Sequence, residues 1–333
     1  MSIKVLVSGA GGDVGQGVIK ALSASALDIA AYATCIGPYS SWLHQPGVVG
    51  FIAPLSDSED YVPWLIRLIR RFGIQVFFPT VDSEIAKIAR EKSRIESETG
   101  AQVFVDGLDR VSVCDDKLKT AEFLRGHGFA YPASAAADSP EAVAIAARLG
   151  YPLVVKKRNG KGSQDVFLVY DEAELKCRLG DPSFVVQEWL DPEQGEYTSG
   201  LYLGDDGDIK GVCTFRRKLK AGSTYIAERI VDPMLEKPLE RIAYALGMKY
   251  LNIQSMRRRD ELVPFEFNGR LSGTTAMVSR VFNAPEMFIR ERVLGERLAR
   301  ADNPIRFAAM RYYEEVYATP EQIDALLARS TDI

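Results

Sequence analysis

Between residues 1 and about 113, short runs of β-branched and aromatic residues alternate with segments of helical periodicity. Ile3–Val7, Ile29–Cys35 and the stretches 50–53, 75–79 and 102–105 read as strands, while apolar residues recur at helical spacing near 59–72 and 83–98. Strands separated by helices pair in parallel, which predicts a wrapped sheet whose ligand lies near the carboxyl ends of its strands. A second region, about 114–190, opens on the helical run DDKLKTAEFLRGHG, with Gly126 and Gly128 as stop signals, and a helix over 139–149 begins at Ser139-Pro140. The strand YPLVVKK, a glycine-rich turn and the strand DVFLVY follow. From about 184 the pattern changes to longer strands joined by turns at 204–207 and at Arg259-Asp260, as in antiparallel hairpins. The expected class is therefore α/β, becoming α+β in the C-terminal part, in three domains over 1–113, 114–190 and 191–333. The tail from Thr319 reads as a capped amphipathic helix.

Composition narrows the chemistry more than the fold. The 333 residues are 47% hydrophobic and 26% charged, which argues against a disordered or fibrous chain. A net charge of -4 gives no basic footprint for nucleic acid or an anionic membrane. The start, MSIKVLVSGAGG, has no leader pattern and no apolar run reaches membrane-spanning length, so a cytoplasmic location is expected. Cys35, Cys114, Cys177 and Cys213 form no CxxC pair, and only two histidines, His44 and His127, are present. Catalysis is thereby pushed toward lysine, arginine, carboxylates and a bound metal.

Gly9-Ala10-Gly11-Gly12-Asp13-Val14-Gly15 stands where a dinucleotide-binding fingerprint would, between the first strand and first helix. Val14 occupies the third glycine position, and the second strand ends in Tyr32-Ala33-Thr34-Cys35 without an acid for a ribose hydroxyl. That weakens a dinucleotide site, and beside it stand two other readings, a tight turn with close helix packing or a loop that touches substrate.

Two strands carry the chemistry. In Pro152-Leu153-Val154-Val155-Lys156-Lys157 alternate side chains face opposite ways, so one lysine is held on a rigid strand facing inward. The turn Asn159-Gly160-Lys161-Gly162-Ser163 supplies backbone N–H groups that can fold over phosphate oxygens, although the order of lysine and glycines is not that of a Walker loop. Near the other end, the period of two places Glu266 and Asn268 on one face of a strand, with Phe265 and Phe267 on the other. A carboxylate so flanked needs a partner, and a divalent cation is one natural choice, because a carboxylate with a side-chain amide suits Mg2+.

The ordered series GAGG, PTVD (79–82), DDKLKT (115–120), PLVVKKRNGKGS (152–163), VVQEWL (185–190), GEYTSGL (195–201), LNIQ (251–254) and EFNGRLSG (266–273) resembles the ATP-grasp superfamily, in its carbamoyl-phosphate-synthase-like branch. The resemblance covers most of residues 1–283. It implies an N-terminal Rossmann-like domain, a central lid and a C-terminal antiparallel domain with the metal site. It further implies that Lys117 and Lys156 contact ATP phosphates, that Gly160, Gly162 and Ser163 close over them, and that Glu188, Trp189 and Leu190 meet adenine. Glu196 would bond the ribose. Gln254 and Glu266 would ligate one Mg2+, Glu266 and Asn268 a second, with Mn2+ an acceptable substitute, and Arg270 would face the transferred phosphoryl group. This chain has Gly269 where the family often has proline, and a shorter glycine run in the phosphate loop.

The implied reaction is ADP-forming ligation of a carboxylate to an amine or ammonia through an acyl phosphate. Lys156 and Arg270 are its expected catalytic cations. Bicarbonate and ammonia chemistry, a nucleotide-binding protein without turnover, and an NAD-dependent oxidoreductase are the competing readings. Small-molecule acids and amines are the expected partners, with neither nucleic acid nor membrane, and a homodimer is compatible with them. For substrate, Arg216, Lys218 and Lys220 share one strand face in TFRRKLK, against the alternative of a charged, solvated strand edge. Asp82 is either a substrate contact or a helix N-cap.

Overall fold

The computed structural model describes residues 2–160 and 165–333. The first five strands, β1 (Ile3–Val7), β2 (Ile29–Cys35), β3 (Val48–Ile52), β4 (Val76–Phe78) and β5 (Gln102–Val103), form a parallel sheet in the order β3-β2-β1-β4-β5. The helices that return the chain are α1 (Asp13–Ser23), α2 (Tyr61–Phe72) and α3 (Asp82–Thr99). Helix α2 buries Tyr61, Val62, Leu65, Leu68 and Ile69 along one stripe, and Gly73 ends it at φ 63°, a left-handed conformation that glycine adopts without steric cost. Strand order reverses at β1 and β4, so a crevice opens where Gly9 and Thr80 follow those two strands.

The helical run expected to open the second region forms α5 (Lys117–Gly126), and a short helix that the sequence pattern does not predict, α4 (Leu108–Asp115), precedes it. Asp116 separates them with extended backbone, and its carboxylate caps α5 by accepting from the N–H groups of Leu118 at 2.9 Å and Lys119 at 3.4 Å. Downstream come β6 (Ser134–Ala136), α6 (Pro140–Leu149), β7 (Leu153–Lys157), β8 (Val166–Val169), α7 (Glu172–Lys176) and β9 (Phe184–Glu188). The four strands form an antiparallel sheet in the order β6-β9-β7-β8, one face of which packs Leu153, Val155 and Val186 against Ile145 and Ala146 of α6.

The third region carries β10 (Glu196–Leu203), β11 (Ile209–Lys220), β12 (Ser223–Ile230), α8 (Pro233–Leu246), β13 (Tyr250–Arg258), β14 (Glu261–Asn268), α9 (Thr275–Val278), α10 (Ala284–Arg292), β15 (Ala308–Met310) and α11 (Pro320–Thr331). Its strands make one antiparallel sheet in the order β14-β13-β10-β11-β12-β15. One face, with Tyr197, Leu201, Ile253 and Phe267, is buried with Leu235, Leu239 and Ile242 of α8. The other face bears Glu196, Gln254, Glu266 and Asn268. Helix α11, capped by Thr319 and Gln322 as its sequence predicts, returns to the parallel sheet, where the Ile52 N–H donates to Ser330 Oγ at 2.8 Å. Among the described residues, no helix is long and apolar enough to cross a membrane.

Candidate functional site

Strand β7 delivers one lysine to each side of its sheet, as alternation requires. Lys157 is half exposed and pairs with Asp165 at 3.0 Å. Lys156 is only 7% exposed, faces away from the apolar core of its own sheet, and has its Nζ 5.3 Å from the centre of the Phe265 ring. Burial depresses its pKa; the nearby Glu266 carboxylate raises it and the Lys117 ammonium lowers it, leaving it at about 8. Lys117, at the start of α5, is also buried, and its Nζ donates to the Gly160 carbonyl at 2.5 Å.

The turn after β7 is fastened to the α4–α5 junction. Arg158 grips the Asp116 carboxylate with Nη2 at 2.6 Å and Nε at 3.1 Å, and Asn159 Nδ2 donates to Asp115 at 3.0 Å. Burial pushes the Asp116 carboxyl up, but the Arg158 guanidinium together with the Leu118 and Lys119 N–H groups holds it below the usual range. Gly160 is thus fixed beside Lys117. Gly162 and Ser163, the remaining expected phosphate contacts, lie outside the described residues.

Across the cleft, β13 and β14 bring Gln254 opposite Glu266 and Asn252 opposite Asn268. The register slips by one between Gln254 and Ser255, which makes Phe265 an extra, unpaired residue. Strict alternation therefore fails there. Phe267 enters the core as expected, but the Phe265 ring lies against Lys156, and Glu266 is half-buried rather than enclosed by two phenylalanines. Gln254 Nε2 stands 3.5 Å from Glu266 Oε1, and Asn268 Nδ2 stands 3.5 Å from Asn252 Oδ1. Asp82, Lys117, Gly160, Glu266, Asn268 and Arg270 line one continuous cleft.

Three of the candidate carboxylates are already paired with arginines. Arg217 donates from Nη2 to Glu196 at 2.5 Å and to Gln254 Oε1 at 2.7 Å, tying the expected ribose residue to an expected metal ligand. Arg258 holds Glu188 at 3.1 Å, while the other Glu188 oxygen accepts from the Ala133 N–H at 3.1 Å. Arg270 donates through Nε to Asp82 at 2.5 Å. Trp189 and Leu190 follow Glu188 at the end of β9, half-buried and buried respectively.

Two expectations are corrected here. Arg216 and Lys218 are exposed and lie on the face opposite Gln254 and Glu266; the basic residue of this strand that reaches the site is Arg217, cross-strand from Glu196. Alternation along β11 does not say which of its faces meets the site; the register that sets Arg217 opposite Glu196 does. Asp82 is not the N-cap of α3; Val81 holds that position, its N–H bound at 2.9 Å by Glu84, and Asp82 is the first helical residue. Glu84 itself was overlooked. Its buried carboxylate accepts from the hydroxyls of Ser8 and Tyr61 and from the Thr80 N–H at 2.8 Å, locking β1 to the PTVD turn. Burial raises its pKa despite those donors.

The glycines have local causes. A Cβ on Gly15 would lie 2.5 Å from the Gly9 carbonyl oxygen, and Gly9 has φ 59°, so the tight-turn reading of the first cluster accounts for both. A Cβ on Gly269 would meet Met248 Cε at 2.6 Å and Cys114 Sγ at 3.3 Å.

The donors suit a hard cation that arrives with its own ligands. Gln254, Glu266 and Asn268 supply oxygens but one carboxylate only, and among the described residues no group of three or more His, Cys, Asp or Glu could hold a metal ion. Such a set leaves most of an octahedron to water and to phosphate oxygens, as Mg2+ prefers.

Comparison with known proteins agrees with this architecture. The family described as ATP-grasp domain matches residues 114–235. The carbamoyl phosphate synthase large chain of Rubrobacter xylanophilus is 27% identical over 242 residues, 64% of this chain but 21% of that protein, so the chain spans about a fifth of the length of such relatives. Among solved structures, N5-carboxyaminoimidazole synthetase from Staphylococcus aureus complexed with ADP is similar over 100% of this chain and 87% of that one, with a TM-score of 0.73 and 14% identity. The biotin carboxylase domain of 2-oxoglutarate carboxylase from Hydrogenobacter thermophilus, in complex with MgADP, ADP and bicarbonate, has a TM-score of 0.70 at 17% identity, over 92% of this chain and 73% of that chain. At these identities the structures establish the ATP-grasp fold.

Proposed function

We propose that this chain, a member of the ATP-grasp superfamily by its matched domain and its fold, is an ADP-forming ligase that joins a small carboxylate to an amine or ammonia. The observation that carries the reading is the juxtaposition of a desolvated lysine, Lys156, with the oxygen donors of β13 and β14 across one cleft. Desolvated cations seek anions, and oxygen donors seek cations; Mg-ATP supplies both at once.

In this reading Lys117 and Lys156 hold phosphate oxygens, and Gly160 stays beside them through the Arg158 and Asn159 contacts. Mg2+, or Mn2+ in its place, would be held by Gln254, Glu266 and Asn268 as one or two ions, neutralising charge on the phosphates. Arg270, steered by Asp82, faces the phosphoryl group as it passes to the acid. Phosphoryl transfer needs positioning and positive charge more than covalent help, which explains how a chain with two histidines can perform it. An amine held beside the acyl phosphate then attacks at high effective concentration. Glu188 with Trp189 and Leu190 receives adenine, and Glu196 the ribose.

The decisive experiment measures ADP and phosphate from Mg-ATP with panels of acids and amines. ADP release should require an acid, and product an amine as well; AMP with pyrophosphate would rule the mechanism out. Glu266→Ala should lower turnover by about a thousand-fold or more while the melting temperature stays within a few degrees, since Glu266 is half-buried. Retention of turnover in that variant would sink the assignment.

A further inference from the structure

The loops at the carboxyl ends of the parallel sheet display apolar side chains that the fold leaves uncovered. Ile36, directly after β2, is 65% exposed, and Tyr39 in the same loop 83%; Leu55 after β3 is 57% exposed and Val81 after β4 36%. The strand order β3-β2-β1-β4 sets these loops side by side, about 5 Å apart per strand, around the glycine loop that follows β1. The nucleotide and metal roles leave that glycine loop unused, yet its glycines let the rim close up. A Cβ on Gly11 would lie 2.9 Å from Ser40 Oγ and 3.1 Å from Cys35 Sγ, and one on Gly9 would lie 2.5 Å from Val81 Cγ2. Hydrogen bonds then fix the loops. The Ala53 N–H donates to the Cys35 carbonyl at 2.9 Å, His44 Nε2 to the Pro38 carbonyl at 2.6 Å and Lys87 Nζ to the Ser58 carbonyl at 3.0 Å. The hydroxyls of Ser56 and Ser83 are hydrogen-bonded at 2.6 Å, which brings Leu55 back to the first turn of α3, where Asp82 lines the cleft and holds Arg270.

Apolar residues scattered singly over a surface are ordinary. Four on anchored loops around one crevice, beginning one residue from Asp82, form a patch of the kind that receives an apolar group. Charge sets which end of a substrate lies there. No lysine or arginine occurs from residue 21 to residue 66, so the loops after β2 and β3 carry no such cation for a carboxylate. Lys117 and Arg270 line the cleft on the other side of Asp82. A substrate that spans the two therefore directs its carboxylate to Arg270 and its apolar end to the rim. From the end of β4 to that of β2 is two strand spacings, roughly 10 Å, the reach of an acid with a chain of several carbons or an aromatic ring, and beyond that of bicarbonate.

We propose that Ile36, Tyr39, Leu55 and Val81 form the specificity site for the acid, which carries a bulky alkyl or aryl group. The inference rests on the ligase reading and names the class of one of its two substrates. Its test is calorimetry on the full chain with saturating Mg-ADP, titrated with acetate, butyrate, hexanoate, octanoate and 3-phenylpropanoate. Affinity should rise by about four-fold per methylene until the rim is covered. The double variant Tyr39→Ser, Leu55→Ser should weaken octanoate and 3-phenylpropanoate by about ten-fold or more, while acetate and Mg-ADP affinities move by less than about two-fold. Both side chains are mostly exposed, so the variant should keep the melting temperature of the wild type. Met234→Ser, which removes a likewise exposed side chain on α8, should leave the series unchanged. A flat series, a series as steep in the double variant as in the wild type, or a double variant altered only in oligomeric state overturns the proposal. Those results leave the ligase reading standing, whereas failure of the wild-type chain to bind Mg-ADP removes the ligase reading itself.

Discussion

The two antiparallel sheets that face each other across the cleft have opposite electrostatic economies. The four-stranded sheet presents Lys156 buried, pressed on an aromatic ring, with burial outweighing the pull of Glu266 on its pKa. The six-stranded sheet presents a carboxylate that is already satisfied, Glu196 on Arg217, and its Arg258 reaches across to satisfy Glu188 at the end of β9. The first sheet gains charge compensation when an anion arrives. The second must exchange one partner for another. Affinity for phosphate should therefore come mainly from the lysine side, and selectivity for the rest of the nucleotide from the arginine side, where a poor ligand cannot repay a broken ion pair.

The largest break in that comparison comes from the lysine strand itself. Lys156→Met should weaken Mg-ADP binding and lower turnover by roughly a hundred-fold or more, since a buried point charge on a phosphate is lost. Lys157→Met, one residue away on the opposite face and paired only with Asp165 at the surface, should change neither by more than about two-fold. Calorimetry on both variants decides it; similar losses in the two would mean that the faces of β7 are not functionally distinct.

How far the sequence could anticipate this differs between the two sheets for a physical reason. β7 is regular, so alternation puts Lys156 and Lys157 on opposite faces, and the family resemblance singles out Lys156 as the one at the cleft. β14 is not: the slip at Gln254 inserts Phe265, and a one-residue register change sends a ring to the side where a period of two would not put it. The alternation of β11 was legible too, but choosing which of Arg216 and Arg217 faced the cleft required knowing that Glu196 lies opposite Arg217, a tertiary fact. The parallel region, the hairpins, α5 and the terminal helix follow from local patterning, whereas α4, a helix of 8 residues just before the Asp116 cap, is too short to show a period. The ion pair between Asp13 and Arg311 spans almost the whole chain and has no local signature.

A second, smaller effect sharpens the arginine side. Arg217 bonds both Glu196 and Gln254, so it holds the ribose residue and one oxygen donor in a common frame. Arg217→Met should free both and weaken Mg-ADP by about ten-fold through lost preorganisation, with a larger loss for Mg-ADP than for ADP measured in chelator. Arg216→Met, on the exposed face, should leave both affinities unchanged. Equal weakening of ADP with and without Mg2+ would assign Arg217 to the ribose end alone.

The smallest effect, and the one that tests the lysine side most directly, is a dependence on pH with opposite signs for two observables. Free Lys156 titrates at about 8, because burial disfavours its charge, and a bound phosphate must raise that value by favouring the charge. Below pH 8 the lysine is protonated with or without nucleotide, and affinity is flat with respect to this group. As pH rises through 8, binding has to take up a proton, and Mg-ADP affinity should fall by at most about ten-fold per unit. Stability of the free chain runs the other way. Between about 8 and the ordinary lysine value of about 10.4 the unfolded chain holds a proton that the folded chain has released, so this group makes stability rise with pH in that window. Other alkaline titrations overlap, so the quantity to measure is the difference between wild type and Lys156→Met, by calorimetry for affinity and denaturant melts for stability. A difference with the same sign in both would mean that Lys156 is not the desolvated cation that distinguishes its sheet from the other.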